Sequence, residues 1–379
     1  MIYSVPYLLL ISFYGLMALW YNQTKDCHTR PWNITLCFLV TLLFWGFRGF
    51  CFYDWMSYYP MYLNFNVNDL SSNISSMEPG FCLLMTVCKA TYDSYIFFVF
   101  ICSLLNLTLL SNFLLKHTDN YPLALLVCTI FGCFSLFTDL MRNALSIFIF
   151  INALDYLAQR KLLKYLIVVL VSVSFHYSAL MYLPLYFFAG KRTNRTVFGS
   201  IFFAGVIIYV LHVSLFANVS SLVLQFVNPE LEGKVHYYLE EITSKSAGLN
   251  FVFFEQVLTG CLVLVYMDKL RELRKDANIY INCILCFFVM TFFLHELVTL
   301  SVRMAVLFGV GYWIIWPDLL KCFKFDNNRR LFIFFICAYS FLRVLGHTRN
   351  PLADYDNVLF GSERYQIRQS LFNKNFKGQ

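Results

Sequence analysis

The chain has 379 residues, of which 59% are hydrophobic and only 13% are charged, and its mean hydropathy is +0.62. This composition excludes a soluble globular protein and predicts an integral membrane protein, because soluble domains carry about 25% charged residues. The net charge of +7 is spread over short connections, without a dense basic stretch or a nucleic-acid motif. It therefore favours contact with membrane lipid and argues against nucleic acid as a partner.

Long apolar runs predict an all-α, polytopic membrane protein of about twelve transmembrane helices. A span needs about 20 apolar residues, and the runs are continuous rather than alternating as in the strands of a barrel. The predicted spans lie at 2–20, 32–47, 94–115, 121–137, 142–158, 162–175, 177–189, 196–215, 249–267, 279–297, 302–319 and 331–345. The short segments 162–175 and 177–189 meet at His176, where we expect a break in the membrane-spanning structure.

The positive charges predict the orientation of the chain. Alternate connections hold 17 of the 29 Lys and Arg residues: 21–31, 116–120, 159–164, 190–195, 268–278 and 320–330. The positive-inside rule places this set on the cytoplasmic side. Both termini and the long outer segments, 48–93, 216–248 and 346–379, then face outward. We expect one transmembrane domain over 1–379 that carries its chemistry in these outer segments.

The connections on the predicted inner side are short and lack phosphate-binding motifs. The longest is 268–278, and neither G-x-x-x-x-G-K-[ST] nor G-x-G-x-x-G occurs in the chain. A substrate is therefore expected to arrive already activated. The pair Cys283 and Cys286 lies inside a span without a second pair or a nearby histidine, so no metal site and no cofactor is predicted.

The first outer segment begins at Arg48. Asp54, Tyr58 and Tyr62 follow at positions i, i+4 and i+8, so on a helix they line one face. One carboxylate with two tyrosines suits a sugar, which offers hydroxyl groups to bond and an apolar ring face to stack. The alternative is an interfacial aromatic belt beside a solvated Asp54.

Two further ionisable residues lie at predicted breaks in the chain. Glu78 precedes Pro79-Gly80 and an apolar run, so it would begin a helix, where it could act as a cap or as a catalytic group. His176 lies in an apolar segment, where histidine is usually a core residue. The predicted break there gives it access to the outer surface, where it could serve as a base or as a hydrogen-bond donor.

Arginines stand at the outer ends of two predicted spans. Asp139 and Arg142 are three residues apart and close enough to pair, while Glu296 and Arg303 are seven apart and would share one face of a continuous helix. Arg142 could snorkel to the membrane surface, or its forked guanidinium could bind phosphate oxygens. Several arginines and carboxylates on one side of the membrane favour an anionic, lipid-linked substrate.

An ordered series of short motifs resembles the EpsG family of bacterial polysaccharide polymerases, relatives of the Wzy-type polymerases. The series is Arg48 to Tyr62, Glu78-Pro79-Gly80-Phe81, Met141-Arg142-Asn143-Ala144-Leu145, Arg160-Lys161 to Leu163-Lys164-Tyr165, and Phe175-His176-Tyr177-Ser178-Ala179-Leu180. The block 141–188 is the most specific part, and Arg303 and Pro351 to Tyr355 match more loosely. The family often has Gln at the position of Asn143.

The resemblance implies a GT-C-like helical fold and a metal-independent, inverting glycosyl transfer on the outer face of the bacterial inner membrane. The donor would be a growing glycan on undecaprenyl pyrophosphate, and the acceptor a hydroxyl group of another lipid-linked repeat unit. The product would be an O-antigen, a capsule or an exopolysaccharide. No cofactor is implied, and a flippase and a chain-length regulator are expected partners.

The resemblance also implies three groups of site residues. His176 is the first choice as the catalytic base, followed by Asp54 and Glu78; Arg142, Arg303 and Arg48 would bind pyrophosphate; Tyr58, Tyr62, Asn143 and Glu296 would bind glycan.

Two other functions are compatible with the sequence. A lipid-linked oligosaccharide flippase or other transporter would need a polar path through the bilayer centre, whereas the charged residues here cluster at the outer edge, with Asp155 and Arg343 as exceptions. A membrane O-acyltransferase also places a histidine in an apolar segment. It would need access for an acyl donor, which the short inner connections do not obviously provide.

Overall fold

In a computed structural model, the described residues are 2–23, 29–69, 73–74, 77–213, 215, 248–361 and 364–376. The predicted outer segment 216–248 thus lies outside them apart from its last residue. This part of the chain is helical, and its β structure is one isolated antiparallel bridge between Arg48 and Asn357.

The α-helices, in chain order, are α1 (Val5–Gln23), α2 (Thr29–Gly46), α3 (Trp55–Asn64), α4 (Pro79–Thr91), α5 (Tyr95–His117), α6 (Tyr121–Cys128), α7 (Phe134–Thr138), α8 (Met141–Ile151), α9 (Leu154–Ala158), α10 (Leu162–Phe175), α11 (Leu185–Phe188), α12 (Arg195–Val210), α13 (Phe251–Leu273), α14 (Ala277–Phe293), α15 (Val298–Ala305), α16 (Val310–Cys322), α17 (Asp326–His347) and α18 (Tyr365–Phe376). Short 3₁₀ helices lie at Ile2–Ser4, Tyr177–Tyr182, Val306–Phe308, Pro351–Ala353 and Val358–Phe360.

Each of the twelve predicted spans coincides with helix in the structure, which agrees with an all-helical membrane protein. Five helical segments among the described residues are long and apolar enough to cross a membrane: α1, α5, the stretch from α6 to α7, α13 and α17. The bent pair of α15 with its 3₁₀ extension and α16, with 58° between the two parts, makes up to six. Twelve crossings and a GT-C-like arrangement therefore remain predictions.

Local structure departs from the predicted spans in three places. The predicted span 121–137 contains a π-helical turn, Thr129–Cys133, where Gly132 has a φ of 119° that favours glycine. The segment 177–189 is a 3₁₀ helix followed by the short α11, not one continuous span. The outer segment 48–93 contains two helices, α3 and the apolar α4. Pro79 begins α4, and proline is well suited to the first turn of a helix.

The chain forms two compact units. The first contains residues 1–186 and 323–379, and the second contains residues 187–322. In the first unit, α8 packs against α5 and α10, α2 packs against α5, and α1 packs against α6. Tyr58, Tyr62, Phe81 and Phe98 belong to a buried cluster that joins α3 and α4 to α5. The core of this unit therefore extends into the predicted outer segment.

The C-terminal segment of the first unit folds back onto the connection after α2. Its backbone hydrogen bonds join Val358 N to Phe47 O, Gly49 N to Asp356 O and Phe52 N to Leu352 O. The ring of Tyr365 in α18 packs against Trp55 and Tyr59 in α3. The predicted outer tail is thus an integral part of this unit.

In the second unit, α14 packs against α12, α15 and α16, and α13 packs against α16. Glu255 in α13 is buried, and its Oε1 accepts a hydrogen bond from Thr259 Oγ1 at 2.6 Å. Trp316 Nε1 donates in turn to Thr259 Oγ1 at 3.1 Å. This chain of hydrogen bonds partners a carboxyl group that would otherwise be costly to bury.

Candidate functional site

Glu78 and Arg142 form an ion pair at the start of two helices of the first unit. Glu78 immediately precedes α4, but its side chain does not cap that helix. Instead, Glu78 Oε2 accepts a hydrogen bond from Arg142 Nη1 at 2.8 Å. The Glu78 side chain is 5% exposed and that of Arg142 is 32% exposed. A charge-assisted pair at this depth holds the guanidinium in one position at the surface.

The ring of His176 lies beside this pair. His176 ends α10 in an extended conformation, so the predicted break in the chain at this residue is confirmed. Its Nδ1 lies 4.0 Å from Glu78 Oε1, too far for a hydrogen bond. The three side chains of Glu78, Arg142 and His176 therefore form one cluster of ionisable groups, which we call the Glu–Arg–His cluster.

A close backbone approach brings α4 and α10 together at the Glu–Arg–His cluster. A Cβ atom on Gly80 would lie 2.5 Å from Ser174 Oγ and 2.8 Å from the Ser174 carbonyl oxygen. Real Cβ atoms do not approach backbone so closely, so only glycine allows this packing. Gly80 thus sets the distance between Glu78 and His176.

The orientation of the His176 ring is set by the residues that follow it. Nδ1 accepts a hydrogen bond from the Ser178 backbone N–H at 3.1 Å, so the neutral ring carries its proton on Nε2. Ser178 Oγ donates to Asn143 Oδ1 at 3.1 Å, and Asn143 is buried. This geometry favours His176 Nε2 as a donor over the ring as a base, and it gives Asn143 a positioning contact.

The two tyrosines of α3 face inward. Tyr58 accepts from Arg142 Nε at 3.5 Å, and the Arg142 guanidinium carbon lies 5.9 Å from the centre of its ring. Burial raises the pKa of Tyr58, opposed in part by Arg142, so the phenol stays protonated. Tyr62 is 1% exposed and stacks on Phe98. Of the two predicted glycan contacts, Tyr58 therefore contacts the Glu–Arg–His cluster through Arg142, whereas Tyr62 lies in the core.

Asp139 holds the chain that enters α3. Its Oδ1 accepts from the backbone N–H groups of Tyr53 and Asp54 at 2.9 and 3.1 Å. Burial raises the pKa of Asp139, although these two donors and Arg48 oppose the shift. The predicted pair of Asp139 with Arg142 is not formed, because Arg142 turns to Glu78. Asp54 itself is half-buried at the start of α3.

Arg48 lies in the interior rather than at the surface. Its side chain is 1% exposed, and Nε donates to the Phe137 carbonyl oxygen at 2.8 Å. A guanidinium buried in this way cannot reach a bound pyrophosphate without rearrangement. The placement therefore argues for a role in joining α2 to α7 and does not support the predicted pyrophosphate contact.

Glu296 and Arg303 belong to the second unit. Glu296 is buried in the turn between α14 and α15, whereas Arg303 is exposed on α15. The two residues do not share one continuous helix, so the predicted common face is wrong. Their predicted roles in binding glycan and pyrophosphate remain predictions.

Cysteine and acidic residues do not gather into a metal centre in the described ranges. No group of three or more His, Cys, Asp or Glu side chains there could hold a metal ion. Cys51, Cys82 and Cys88, which the sequence places in the predicted outer segment 48–93, are separate buried thiols and form no disulfide with one another.

The sequence did not predict the roles of three residues that shape the site. Asp139 accepts from the backbone N–H groups of Tyr53 and Asp54, Ser178 donates its backbone N–H to His176, and Gly80 was expected only to break the chain before a helix. The Pro-Gly pair before an apolar helix was the available signal for a close helix approach.

The fold and the Glu–Arg–His cluster define a polytopic helical membrane protein with a charged site on its first unit. The EpsG family model matches residues 32–358, most of the chain, and the chain therefore belongs to the EpsG family. Members of this family are Wzy-type polysaccharide polymerases of the inner membrane, which implies lipid-linked oligosaccharide substrates. No curated protein and no solved structure matches the chain.

Proposed function

We propose that this protein polymerises polysaccharide repeat units carried on undecaprenyl pyrophosphate, by metal-independent, inverting glycosyl transfer on the outer face of the inner membrane. The observation that most directly supports this function is the Glu–Arg–His cluster, in which a partly exposed arginine is held beside a buried carboxylate and a histidine N–H donor. Family membership supports the polymerase class, and the distribution of Lys and Arg supports the outward orientation.

Arg142 would stabilise the leaving group. In the reaction, the bond between the anomeric carbon of the donor sugar and the pyrophosphate oxygen breaks, and the acceptor hydroxyl oxygen bonds to that carbon from the opposite face. Negative charge develops on the departing pyrophosphate. Contacts with Glu78 and Tyr58 engage Arg142 Nη1 and Nε, and Nη2 has no hydrogen-bond partner in the described structure. It can therefore donate to a phosphate oxygen.

A carboxylate would take the proton of the acceptor hydroxyl. His176 Nδ1 is engaged by Ser178, which leaves the neutral ring as a donor to the leaving group through Nε2. Glu78 Oε1 faces His176 while Oε2 binds Arg142, and Asp54 lies at the start of α3. We assign the proton to Glu78, with Asp54 as the group to compare in the experiment.

The decisive experiment is elongation by the purified full-length protein. Lipid-linked repeat units are supplied in detergent with EDTA and without nucleotide sugar or ATP, and product length is read by gel and mass spectrometry. A ladder spaced by one repeat unit is expected. Arg142→Ala should abolish it, while Arg330→Ala, a matched change at an exposed arginine of α17, should not.

Two outcomes would overturn the proposal. A ladder that Arg142→Ala leaves intact would remove the Glu–Arg–His cluster from the reaction. No elongation by folded protein with authentic substrate, combined with movement of the lipid-linked oligosaccharide across liposomes, would indicate a flippase. Comparison of Glu78→Gln with Asp54→Asn in the same assay identifies the proton acceptor.

A further inference from the structure

The second unit contains a polar cavity that no part of the proposed reaction uses. It has a volume of about 480 Å³ and is lined by Arg192, Asp268, Arg271, Glu272, Arg274, Lys275 and Asn278. The cavity lies where α13 ends and where the connections into α12 and α14 begin. Its lining holds four basic and two acidic side chains.

Several of these charges already have partners. Arg274 binds Asp276 at 2.7 Å and Asp318 at 3.1 Å. Arg271 donates to Asn278 at 2.9 Å and to the Thr193 carbonyl oxygen at 2.6 Å. These contacts make the two arginines a fixed wall of the cavity.

One carboxylate serves three guanidinium groups at the rim. Asp268 lies 2.9 Å from Arg195, 3.4 Å from Arg271 and 3.7 Å from Arg192. Asp268 alone cannot neutralise three positive charges, and with Glu272 counted the lining still has four basic side chains against two acidic ones. Arg192 is 74% exposed, and its 3.7 Å contact is too long for a hydrogen bond.

Lys275 adds a further positive charge on the open side. It is exposed, and the contacts of the described residues give it no ion-pair or hydrogen-bond partner. Arg192 and Lys275 therefore both have N–H groups with no carboxylate within hydrogen-bond distance. A ligand with several anionic oxygens would satisfy both.

The position of the cavity indicates the level of the membrane at which such a ligand would lie. Arg271 and Glu272 belong to the last turn of α13, which is one of the helices able to cross a membrane. The end of a spanning helix lies at the level of lipid headgroups, where phosphate groups are concentrated.

We propose that this cavity is a binding site for a phosphate group, held by Arg192 and Lys275 and supplied by an anionic lipid. The site is separate from the proposed polymerase reaction and does not depend on it. A soluble phosphate compound would offer the same oxygens, and the experiment distinguishes the two sources.

Native mass spectrometry of the full-length protein provides the test, with phosphatidylglycerol and phosphatidylcholine as probes. The wild type should retain phosphatidylglycerol more strongly. The double variant Arg192→Gln/Lys275→Gln should lose at least about tenfold in its affinity, because it removes both cations whose N–H groups would bind the phosphate oxygens in the cavity. Both positions are exposed, and unchanged elution in gel filtration would show that the variant folds.

The matched control is Lys324→Gln/Arg330→Gln, which also removes one lysine and one arginine from a predicted inner connection. It should retain phosphatidylglycerol as the wild type does. If millimolar inorganic phosphate displaces the lipid from the wild type but not from the Arg192→Gln/Lys275→Gln variant, the cavity is a phosphate site whose natural ligand is a soluble anion. Equal losses in the two double variants, or no loss in either, would overturn the proposal.

Discussion

At the residue scale, the central feature is that Arg142 is positioned by Glu78. A surface ion pair contributes little to stability, but Glu78 is buried and the pair holds the guanidinium in a single geometry. Removing one partner of such a pair costs more than the pair itself contributes, because the other charge remains partly desolvated. The pair is therefore better understood as a device for orientation than as a source of stability.

Glu78→Gln tests this orientation directly. The change preserves the shape of the side chain but removes both the charge that holds Arg142 and the proposed proton acceptor. We expect the elongation rate to fall by about 10²-fold or more, as is typical when a general base is lost. The control is Asp326→Asn, which also changes a carboxylate to an amide, at an exposed residue of α17. A rate within a factor of two of the wild type would contradict the assignment of Glu78.

Two conservative variants of His176 separate its nitrogens. In His176→Asn, the side-chain oxygen can replace Nδ1 as the acceptor for Ser178 N–H, whereas the longer amide in His176→Gln can replace the Nε2 donor. If donation from Nε2 stabilises the leaving group, His176→Gln should retain more elongation activity than His176→Asn. Loss of a single such donor costs about 10²- to 10³-fold. The reverse order of activities would assign the function to Nδ1.

Asp139 predicts a pH dependence of stability. Burial raises its pKa in the folded protein. A group with a raised folded pKa stabilises the protein below its unfolded pKa, about 3.9 for Asp, and loses that contribution as the pH rises through the folded value. The melting temperature of the wild type should therefore fall relative to Asp139→Asn as the pH rises above about 4. Thermal melts of both proteins across this range check the prediction, and parallel curves would contradict it.

At the element scale, the site depends on how closely α4 approaches α10. Glu78 stands at the beginning of one helix and His176 at the end of the other, so their separation follows from the packing of the two helices. A Cβ atom on Gly80 would lie 2.8 Å from the Ser174 carbonyl oxygen, so glycine allows a closer approach of the two helices than a larger residue would. A small change in side-chain volume at this contact should move both site residues.

Gly80→Ala is expected to damage the site more than the fold. Its added methyl group meets the Ser174 backbone, so α4 and α10 must separate, and a misplacement of about 1 Å can cost about 10²-fold in rate. Elongation rate and melting temperature should be measured together. Gly15→Ala in α1 is the control, because nothing lies within 4 Å of its added Cβ. Normal activity in Gly80→Ala would show that the approach of the helices does not set the site.

At the scale of the whole molecule, the C-terminal segment completes the first unit. It is separated from α3 by about 300 residues of sequence, yet it pairs with the connection after α2 and covers aromatic side chains of α3. The predicted outer tail is thus not an appendage. Its removal would expose the aromatic side chains of Trp55 and Tyr59 that it covers.

Tyr365→Ala tests the attachment of α18. The ring packs against Phe50, Trp55 and Tyr59. Truncating a fully buried aromatic side chain to alanine costs about 3–5 kcal/mol of stability. Because Tyr365 is only partly buried, its loss should lower the stability of the protein by about 1–3 kcal/mol. Phe360→Ala is the control, because Phe360 is 87% exposed. Equal melting temperatures for the two variants would show that α18 is not docked as described.

The sequence by itself determined the class of the protein, the positions of most helices and the residues at their ends. Hydrophobicity and helix-breaking residues act locally, so the start of α4 after Glu78 and the end of α10 at His176 could be read from neighbouring residues. Only the tertiary structure decided which partners these residues take. Arg142 binds Glu78 rather than Asp139, which is nearer to it in the sequence. Arg48 and Tyr62, which were expected to contact substrate, are buried. Such contacts join residues far apart in the chain, and they depend on packing between helices that no local pattern encodes.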